Sequence, residues 1–276
     1  MNRKCFAKIN LTLDSLYKRE DGYHEIDTIM ARIGLFDELE IKPNDKREFN
    51  YSSNLTEICP LEDNLIYKAW ELLKDKTPNP GVDVYLRKNI PLAAGLAGGS
   101  TDAAEMIKGL NELWNLNLSK KEMKEIGVKL GADIPFFFEN SPARAKGIGE
   151  ILEPFNNTLD MKILLVNDGT EISSAEVYKK LADYGQVEND LIVEKLKNGD
   201  NSAIFYFENV MEDVVTDIHP HLLDIKNEFL NNGAEVTLVS GSGASIFGIF
   251  MDDDSIDNAY KKMREDYEFV EKVELI

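Results

Sequence analysis

Apolar and polar residues alternate along the start of the chain, which is the pattern of a strand with one buried face. That face would carry Cys5, Ala7, Ile9, Leu11 and Leu13. The alternation predicts a strand over residues 5–13, and the polar run Lys18–Gly22 predicts a hairpin turn into a second strand over Tyr23–Ile33. Two further strands are predicted over Glu38–Lys42 and Val82–Arg87.

Helical periodicity begins after a glycine-rich stretch. Apolar residues recur there at spacings of three and four, at Ala103, Ile107, Leu110 and Trp114. Ser100 or Thr101 is the predicted cap of this helix. A second helix is predicted over Asp63–Leu73, and a third over Ser119–Gly131, where Ser119 and Glu122 form a capping box.

The C-terminal half of the chain mixes strands and helices as well. Strands are predicted over Ile163–Val166, Val236–Val239 and Ile246–Phe250, and helices near residues 173–183, 221–231 and 255–266. Strands and helices that do not alternate strictly favour an α+β architecture. The tract Pro154–Asp160 is the predicted joint between two domains, which would cover residues 1–155 and 160–276.

The stretch between the fourth strand and the next helix is rich in glycine. It reads Pro91-Leu92-Ala93-Ala94-Gly95-Leu96-Ala97-Gly98-Gly99-Ser100-Thr101. Glycine lets a backbone approach a ligand closely, and a helix N-terminus presents free N–H groups to phosphate. The stretch lacks the lysine of a Walker A loop and the spacing of a dinucleotide fingerprint. It predicts a nucleotide-phosphate site, although a tight loop that binds nothing fits this one motif equally well.

Composition narrows the class of protein. The 276 residues carry a formal net charge of −19, which argues against a broad nucleic-acid or anionic-membrane surface, since such surfaces need clustered Lys and Arg. Two cysteines, Cys5 and Cys59, make no disulfide framework and favour reduced thiols in a cytoplasm. We expect no signal peptide, because Lys4 and Lys8 interrupt the only short apolar run near the start. The oligomeric state stays open.

Several polar residues near these elements are candidates for chemistry. Lys8 and Asn10 project from one face of the first strand, where they could anchor an anionic or hydroxylated substrate. Asp133, between Gly131 and Pro135, is either a local feature, an Asx turn or a cap, or a carboxylate that holds or accepts a hydroxyl proton in phosphoryl transfer. Tyr23 and His24 follow the hairpin turn and could stack on a nucleobase, although a tyrosine packed on a turn is commoner.

Two other segments carry weaker signals. His219-Pro220-His221 resembles a metal-binding pair, but the intervening proline and the lack of further nearby ligands favour a surface turn. Ser240-Gly241-Ser242-Gly243 precedes an apolar strand, where it either wraps a phosphate or bends the backbone. The sequence identifies no metal ligands.

Taken together, these segments resemble the GHMP kinase superfamily, named for galactokinase, homoserine kinase, mevalonate kinase and phosphomevalonate kinase. The matching segments are Ala7–Leu11, Asp21–His24, Asp63–Leu65, Lys88–Pro91, the glycine-rich stretch, Gly131–Phe137, Ala145–Glu150 and Ser240–Gly243. Those around Tyr23 and Asp133 are similar to the members that phosphorylate a cytidyl-diphosphate sugar alcohol on the non-mevalonate route to isoprenoid precursors. Ala97, where a glycine is common, and Asn140–Pro142, in place of a glycine-containing turn, depart from the family pattern.

The resemblance implies roles for individual residues. The implied catalytic residues are Lys8 and Asp133. The implied nucleotide-binding residues are Asn64, Lys88, Pro91, Leu92, Ala93, Ala94, Gly95, Leu96, Ala97, Gly98, Gly99, Ser100 and Thr101, with Asn64 and Lys88 at the adenosine end. The implied acceptor-binding residues are Asn10 for the methylerythritol part and Tyr23, His24 and Tyr178 for the cytosine.

The resemblance also implies a fold and a set of ligands. The fold would be two-lobed α+β, with an N-terminal lobe like domain 2 of ribosomal protein S5 and a C-terminal ferredoxin-like α/β-plait lobe. ATP would be the co-substrate with Mg²⁺, and the other partner a small molecule rather than nucleic acid or membrane. The alternatives are a superfamily kinase for mevalonate or homoserine, a binding or regulatory homologue without turnover, and an RNA-associated protein.

Overall fold

The N-terminal alternation forms a longer strand than the sequence predicted. In this computed structural model, which describes residues 1–56, 58–182 and 184–276, strand β1 spans Asn2–Lys18 and pairs with β2, His24–Pro43. The two strands predicted over Tyr23–Ile33 and Glu38–Lys42 are therefore one, and the predicted break between them is wrong. Gly34 weakens the side-chain pattern there, but its N–H donates to the carbonyl of Glu274 at 2.9 Å, so the extended backbone keeps a partner.

Contacts divide the chain into two units, and the long strands contribute residues to both. The first unit comprises Met1–Ala7, Leu35–Ile90 and Ala97–Asn140, and the second comprises Lys8–Gly34, Pro91–Leu96 and Ser141–Ile276. The domain boundary placed at residues 154–160 from the sequence stays a prediction.

The first unit combines a mixed sheet with three helices. Its strands are β3 (Phe49–Ser53) and β4 (Val82–Arg87), and residues 38–43 of β2 pair antiparallel with β4 while β3 pairs parallel with it. Its helices are α1 (Leu65–Leu73), α2 (Gly98–Leu113) and α3 (Lys120–Gly127). Strand β4 has the predicted bounds, because its alternate residues are buried and exposed in turn.

Helix ends in this unit follow local packing. The capping box between Ser119 and Glu122 is present at the start of α3, as predicted. The helix ends at Gly127 instead of Gly131, and an added Cβ at Gly127 would lie 2.7 Å from the side chain of Ile134. The close contact with the buried segment Ile134–Phe138 therefore explains a glycine at position 127, and the sequence pattern does not show that contact.

The second unit contains the strands β5 (Ala143–Gly147), β6 (Ile151–Pro154), β7 (Lys162–Asn167), β8 (Val236–Val239), β9 (Ile246–Phe250) and β10 (Phe269–Val273). The last four form an antiparallel sheet in the order β10-β7-β9-β8. Its helices are α4 (Ser174–Lys180), α5 (Asn189–Asn198), α6 (Glu212–Ile218), α7 (Leu222–Asn231) and α8 (Asp253–Asp266). With α7 before β8 and α8 between β9 and β10, the sheet order is that of the expected ferredoxin-like lobe.

Most elements predicted in this unit are present. Strands β8 and β9 have the predicted bounds, and α7 and α8 lie within two residues of theirs. Helix α4 covers most of the helix predicted near 173–183, although residue 183 itself lies outside the described residues. Strand β5 was missed because its apolar positions are small, alternating alanines with Arg144 and Lys146. It pairs with residues 26–30 of β2.

Candidate active site

Lys8 and Asn10 form a preorganised polar pair on β1. Only 4% of Lys8 is exposed, and its ammonium donates a 2.5 Å hydrogen bond to Oδ1 of Asn10. The amide of Asn10 in turn donates to Oγ1 of Thr28 at 2.8 Å. Because a buried ammonium is costly unless it is hydrogen-bonded, these contacts fix the direction of the cation. Lys8 and Asn10 therefore form one oriented unit, and its role as a substrate anchor stays a prediction.

Two glycine-containing segments of the second unit meet beside this pair. Gly95 has a positive φ of 74°, and its carbonyl accepts a hydrogen bond from the hydroxyl of Ser240 at 3.1 Å. An added Cβ at Gly95 would overlap the carbonyl oxygen of Ser240. The N–H of Lys8 donates to the carbonyl of Leu96 at 3.1 Å, so the loop is attached to β1 as well. Only glycine allows this close approach.

The segment Ser240–Gly243 belongs to the same cluster. An added Cβ at Gly241 would lie 3.3 Å from Oδ1 of Asn10 and 3.5 Å from the ammonium of Lys8. The buried amide of Asn209 donates to the carbonyls of Val239 and Gly241, at 2.9 and 2.7 Å. From the sequence, this segment either wraps a phosphate or bends the backbone. In the structure it lies directly against Lys8, the candidate catalytic lysine.

Helix α2 starts with an uncapped turn. Its N-cap position is Ala97, in the left-handed region at φ 54°, and no side chain caps the helix, so the predicted cap by Ser100 or Thr101 is wrong. Both residues lie inside the first turn because the helix already begins at Gly98. The N–H of Thr101 is bonded to the carbonyl of Ala97 at 3.0 Å. The preceding N–H groups of the first turn are available for an anion, which is the chemistry predicted for this loop.

A buried charge network lies beneath the start of α2. The ammonium of Lys88 contacts Asp37 at 2.5 Å and Asp102 at 3.1 Å, and all three side chains are at most 4% exposed. The other oxygen of Asp37 accepts from the N–H groups of Asn89 and Ile90, at 2.6 and 2.8 Å. An added Cβ at Gly98 would lie 3.0 Å from the ammonium of Lys88. The network therefore connects both flanks of the glycine-rich stretch within the first unit.

Burial shifts the protonation equilibria of this network. Burial and the neighbouring Asp37 raise the pKa of Asp102 from 3.8 to about 7, although Lys88 acts in the opposite direction. Burial acts to lower the pKa of Lys88, but Asp102 and Asp37 outweigh it, so the ammonium stays charged. The pKa of the Cys5 thiol is raised by burial and by Asp102, which leaves this cysteine protonated and unreactive.

The raised pKa of Asp102 has a consequence for stability. A folded-state pKa above the ordinary value contributes stability below about pH 4, and that contribution is lost as the pH rises towards 7. We expect Asp102→Asn to lose less stability than the wild type over this interval, by up to about 4 kcal/mol at 1.36 kcal/mol per pKa unit. Urea unfolding of both proteins across this range measures the difference. Parallel pH curves would contradict the shift.

The other two candidate residues of the first unit, Asn64 and Asp133, lie at the starts of helical segments. Asn64 is the N-cap of α1, where its side chain accepts from the N–H of Ile66 at 2.9 Å. This capping bond explains why an asparagine occurs at position 64. Contact of Asn64 with the adenosine end of the nucleotide stays a prediction.

Asp133 precedes the segment Ile134–Phe138 and makes no side-chain cap bond to it. The cap that the sequence offered for Asp133 is therefore absent, and both its catalytic role and the alternative of an Asx turn stay predictions.

The acceptor candidates of the second unit include an aromatic cluster. Tyr23 is 61% exposed, whereas the ring of His24 is buried. His24 stacks on Tyr178, with ring centroids 5.1 Å apart and planes at 29°. It also stacks on Tyr184, at 6.0 Å and 14°. Tyr178 was expected here, and Tyr184 was missed because only a long-range contact brings it to His24.

The two C-terminal histidines form a turn, as predicted. Nε2 of His221 lies 3.0 Å from the carboxylate of Asp168 and 3.1 Å from the hydroxyl of Thr170, in an exposed position.

No group of three or more His, Cys, Asp or Glu that could hold a metal ion occurs among the residues that the structure describes. Nor does any helix of that part of the chain have the length and apolar character needed to cross a membrane.

Comparison with known proteins finds two matching family models and many full-length relatives. The model described as GHMP kinases N terminal domain matches residues 64–140, and the one described as GHMP kinases C terminal matches residues 192–268. A protein of Thermoanaerobacter pseudethanolicus, 4-diphosphocytidyl-2-C-methyl-D-erythritol kinase, is 44% identical over 97% of this chain and 93% of its own. The protein of the same name from Clostridioides difficile is 42% identical over 90% of this chain and 86% of its own.

Solved structures give the same picture at the level of the fold. A crystal structure of 4-(cytidine 5'-diphospho)-2C-methyl-D-erythritol kinase superposes with a TM-score of 0.86 at 29% identity, covering 100% of this chain and 99% of that one. L. major mevalonate kinase, solved in complex with R-mevalonate, superposes with a TM-score of 0.76 at 16% identity, over 100% and 95% of the two chains. The second similarity is informative about the fold alone.

Proposed function

Because this chain belongs to the GHMP kinase family, we propose that it transfers the γ-phosphoryl group of ATP to the 2-hydroxyl of 4-diphosphocytidyl-2-C-methyl-D-erythritol, on the methylerythritol phosphate route to isoprenoid precursors. The observation that carries the choice of acceptor is the 44% identity over nearly the whole chain to a relative named for it. Mevalonate kinase shares the fold at only 16% identity. The balance of similarity therefore favours the cytidyl acceptor.

The start of α2 is where we place the phosphates of ATP. The first-turn N–H groups of Gly98, Gly99 and Ser100 have no capping side chain, and they lie at the positive end of a helix of sixteen residues. Gly95 brings the preceding backbone close to Ser240 without a Cβ in between. The buried ammonium of Lys88 is paired with Asp102 in the first turns of this helix, and with Asp37. Its contact with the adenosine end stays a proposal.

Mg²⁺ is proposed to accompany the ATP phosphates. The ion supplies charge neutralisation on the phosphate oxygens when it is bound. It usually keeps several waters and takes one or two protein oxygens in addition to phosphates, so a dedicated cluster of carboxylates is not required. The hydroxyl of Ser100 fits this modest demand, because no capping bond of the helix uses it.

The proposed transfer step uses Lys8 and Asp133. Phosphoryl transfer depends mainly on in-line positioning and on stabilising charge. The oriented ammonium of Lys8 would hold the acceptor oxygen. Asp133 would take the proton of the 2-hydroxyl as its oxygen attacks the γ-phosphorus, and the bond from that phosphorus to the β–γ bridging oxygen breaks, so that ADP leaves. Asn10, bonded to Lys8, would orient the methylerythritol part.

The base of the acceptor is proposed to lie at Tyr23, His24 and Tyr178. Tyr23 is largely exposed although it is a large aromatic residue, so its ring has area to offer a planar ligand. We expect Tyr23→Ala to raise the acceptor KM about tenfold while kcat and the KM for ATP stay within about twofold, since stacking does not touch the transferring group. Steady-state kinetics with each substrate varied in turn tests this. An unchanged acceptor KM would place the cytosine elsewhere.

The proposed function itself is tested by ADP release in the presence of ATP and Mg²⁺. The acceptors 4-diphosphocytidyl-2-C-methyl-D-erythritol, mevalonate and homoserine are compared in parallel. Turnover with the cytidyl compound alone is expected. Turnover with another acceptor would keep the kinase fold and overturn the assignment of the base site. ATP binding without any turnover would favour the regulatory alternative.

Two wider expectations accompany the proposed reaction. The net charge of −19 argues against an RNA partner, and filter binding with RNA at moderate salt is expected to show no retention. Cytoplasmic location stays an expectation from the cysteine content.

A further inference from the structure

Tyr184 is an aromatic residue of the acceptor region to which the sequence assigned no role. Its ring lies nearly parallel to the imidazole of His24, at 14° and 6.0 Å between centroids. Tyr178 lies against the same imidazole at 29° and 5.1 Å. Both distances are those of aromatic stacking, so two tyrosines restrict one histidine.

The position of Tyr184 is fixed by a buried carboxylate. Asp14, 1% exposed on β1, accepts hydrogen bonds from the N–H groups of Gly185 at 3.1 Å and Val187 at 2.9 Å. The N–H of Gly185 also contacts the carbonyl of Ser15 at 2.9 Å. The hydroxyl of Tyr184 donates to the carbonyl of Leu181 at 3.2 Å. Both oxygens of the Asp14 side chain are used in this way, so the turn is held to the strand that also carries Lys8 and Asn10.

The imidazole of His24 has hydrogen-bonding capacity left. Its Nε2 atom is buried and has no hydrogen-bond partner in the part of the chain that the structure describes. An unsatisfied buried polar atom is costly and is relieved when a ligand supplies the missing partner. Burial, and next the positive charge of Lys18, lower the pKa of His24, so the ring is neutral at neutral pH. The direction of Nε2 depends on the plane in which the ring is held.

We propose that Tyr184 is a positioning residue for the acceptor site, which fixes the imidazole plane of His24 and so aims Nε2 at a hydrogen-bonding edge of a planar heterocyclic base. Asp14 acts indirectly, because its carboxylate holds the turn that carries Tyr184. The proposal rests on the proposed function for the identity of the base, a pyrimidine. It predicts that Tyr184 influences the recognition of the acceptor and not the chemistry of transfer.

Kinetics of Tyr184 variants test this role. Tyr184→Leu is expected to raise the acceptor KM about tenfold, with kcat and the KM for ATP within about twofold, because only contacts to the base are affected. Tyr184→Phe keeps the ring and should restore the acceptor KM to near the wild-type value. Tyr206→Leu, at another partly exposed tyrosine of the second unit, is the matched control and should change none of these constants.

A double substitution separates action through His24 from a merely structural role. In a His24→Ala background, Tyr184→Leu should add little further loss, since the two residues act as one unit. Full additivity, or an unchanged acceptor KM in the single variant, would overturn the proposal. So would an equal rise in the KM for ATP.

Nuclear magnetic resonance tests the proposal independently of turnover. The chain has only three histidines, so the ring signals of His24 can be assigned by comparison with His24→Ala. Cross-relaxation between the rings of His24 and Tyr184 in the wild type, and a shift of the His24 signals on adding cytidine diphosphate, are expected. Absence of the ring contact would overturn the proposal even if Tyr184→Leu failed to fold. Failure of the wild type to phosphorylate the cytidyl acceptor would instead refute the proposed function.

Discussion

Replacing Asp133 with asparagine should slow turnover by roughly 10²–10⁴-fold, the usual contribution of a general base. Asparagine keeps the size of the side chain and its ability to accept a hydrogen bond, but it cannot take the proton of the attacking hydroxyl. The substitution is nearly isosteric, so it removes the proton acceptor with little change in side-chain volume. The KM for ATP should change by less than kcat.

Steady-state kinetics together with thermal unfolding measures this effect. The control is Asp45→Asn, at an exposed aspartate of the same unit, which should leave both activity and stability unchanged. A loss of less than about tenfold for Asp133→Asn would mean that the residue only orients the hydroxyl, a task that asparagine also performs. Near-normal turnover would remove Asp133 from the transfer step altogether.

Replacing Gly95 with alanine should be the most damaging change in the glycine-rich stretch. The new Cβ would overlap the carbonyl oxygen of Ser240, and φ at Gly95 is 74°, which alanine tolerates poorly. We expect the free energy of unfolding to fall by roughly 2–4 kcal/mol, from left-handed strain and forced packing together. A displacement of the loop by about 1 Å would in addition lower kcat/KM for ATP about 10²-fold.

A second glycine separates the two causes. Gly169 also has a positive φ, of 86°, but an added Cβ there would meet nothing within 4 Å. Gly169→Ala should therefore lose only about 1 kcal/mol of stability, with the KM for ATP unchanged. Chemical denaturation and ATP titration of both variants test the comparison. Equal losses in the two would show that backbone strain alone, without the contact to Ser240, explains the effect.

Elements with a strong local pattern were predictable from the sequence. Strand β4 has the predicted bounds because every second residue is buried, and the capping box of α3 needs only Ser119 and Glu122. Predictions were wrong where a distant contact decides the outcome. Gly34 continues β2 because the distant Glu274 accepts its N–H. The start of α2 has a local cause, because Ala97 adopts a left-handed conformation that its side chain does not favour.

The candidate site was predictable in part, for the same physical reason. Lys8 and Asn10 share a strand face, so their proximity follows from a period of two. Asp37 and Tyr184 lie far along the chain from the residues that they contact, and no local spacing identifies them. The place of Lys88 in the nucleotide site stays a prediction, and the structure adds that two buried carboxylates, those of Asp37 and Asp102, hold its ammonium. A buried Asp–Lys–Asp network cannot be recognised before the tertiary fold is known.

The uncapped start of α2 bears on how a selective inhibitor of this protein would be designed. The donors offered there are backbone N–H groups, which any protein with such a helix start presents in the same arrangement. A compound that mimics only the phosphates would therefore discriminate poorly between kinases of similar fold. The aromatic cluster around His24 is built from side chains and can differ from one protein to another. Selectivity would have to come from groups that reach these rings, with the phosphate mimic supplying affinity alone.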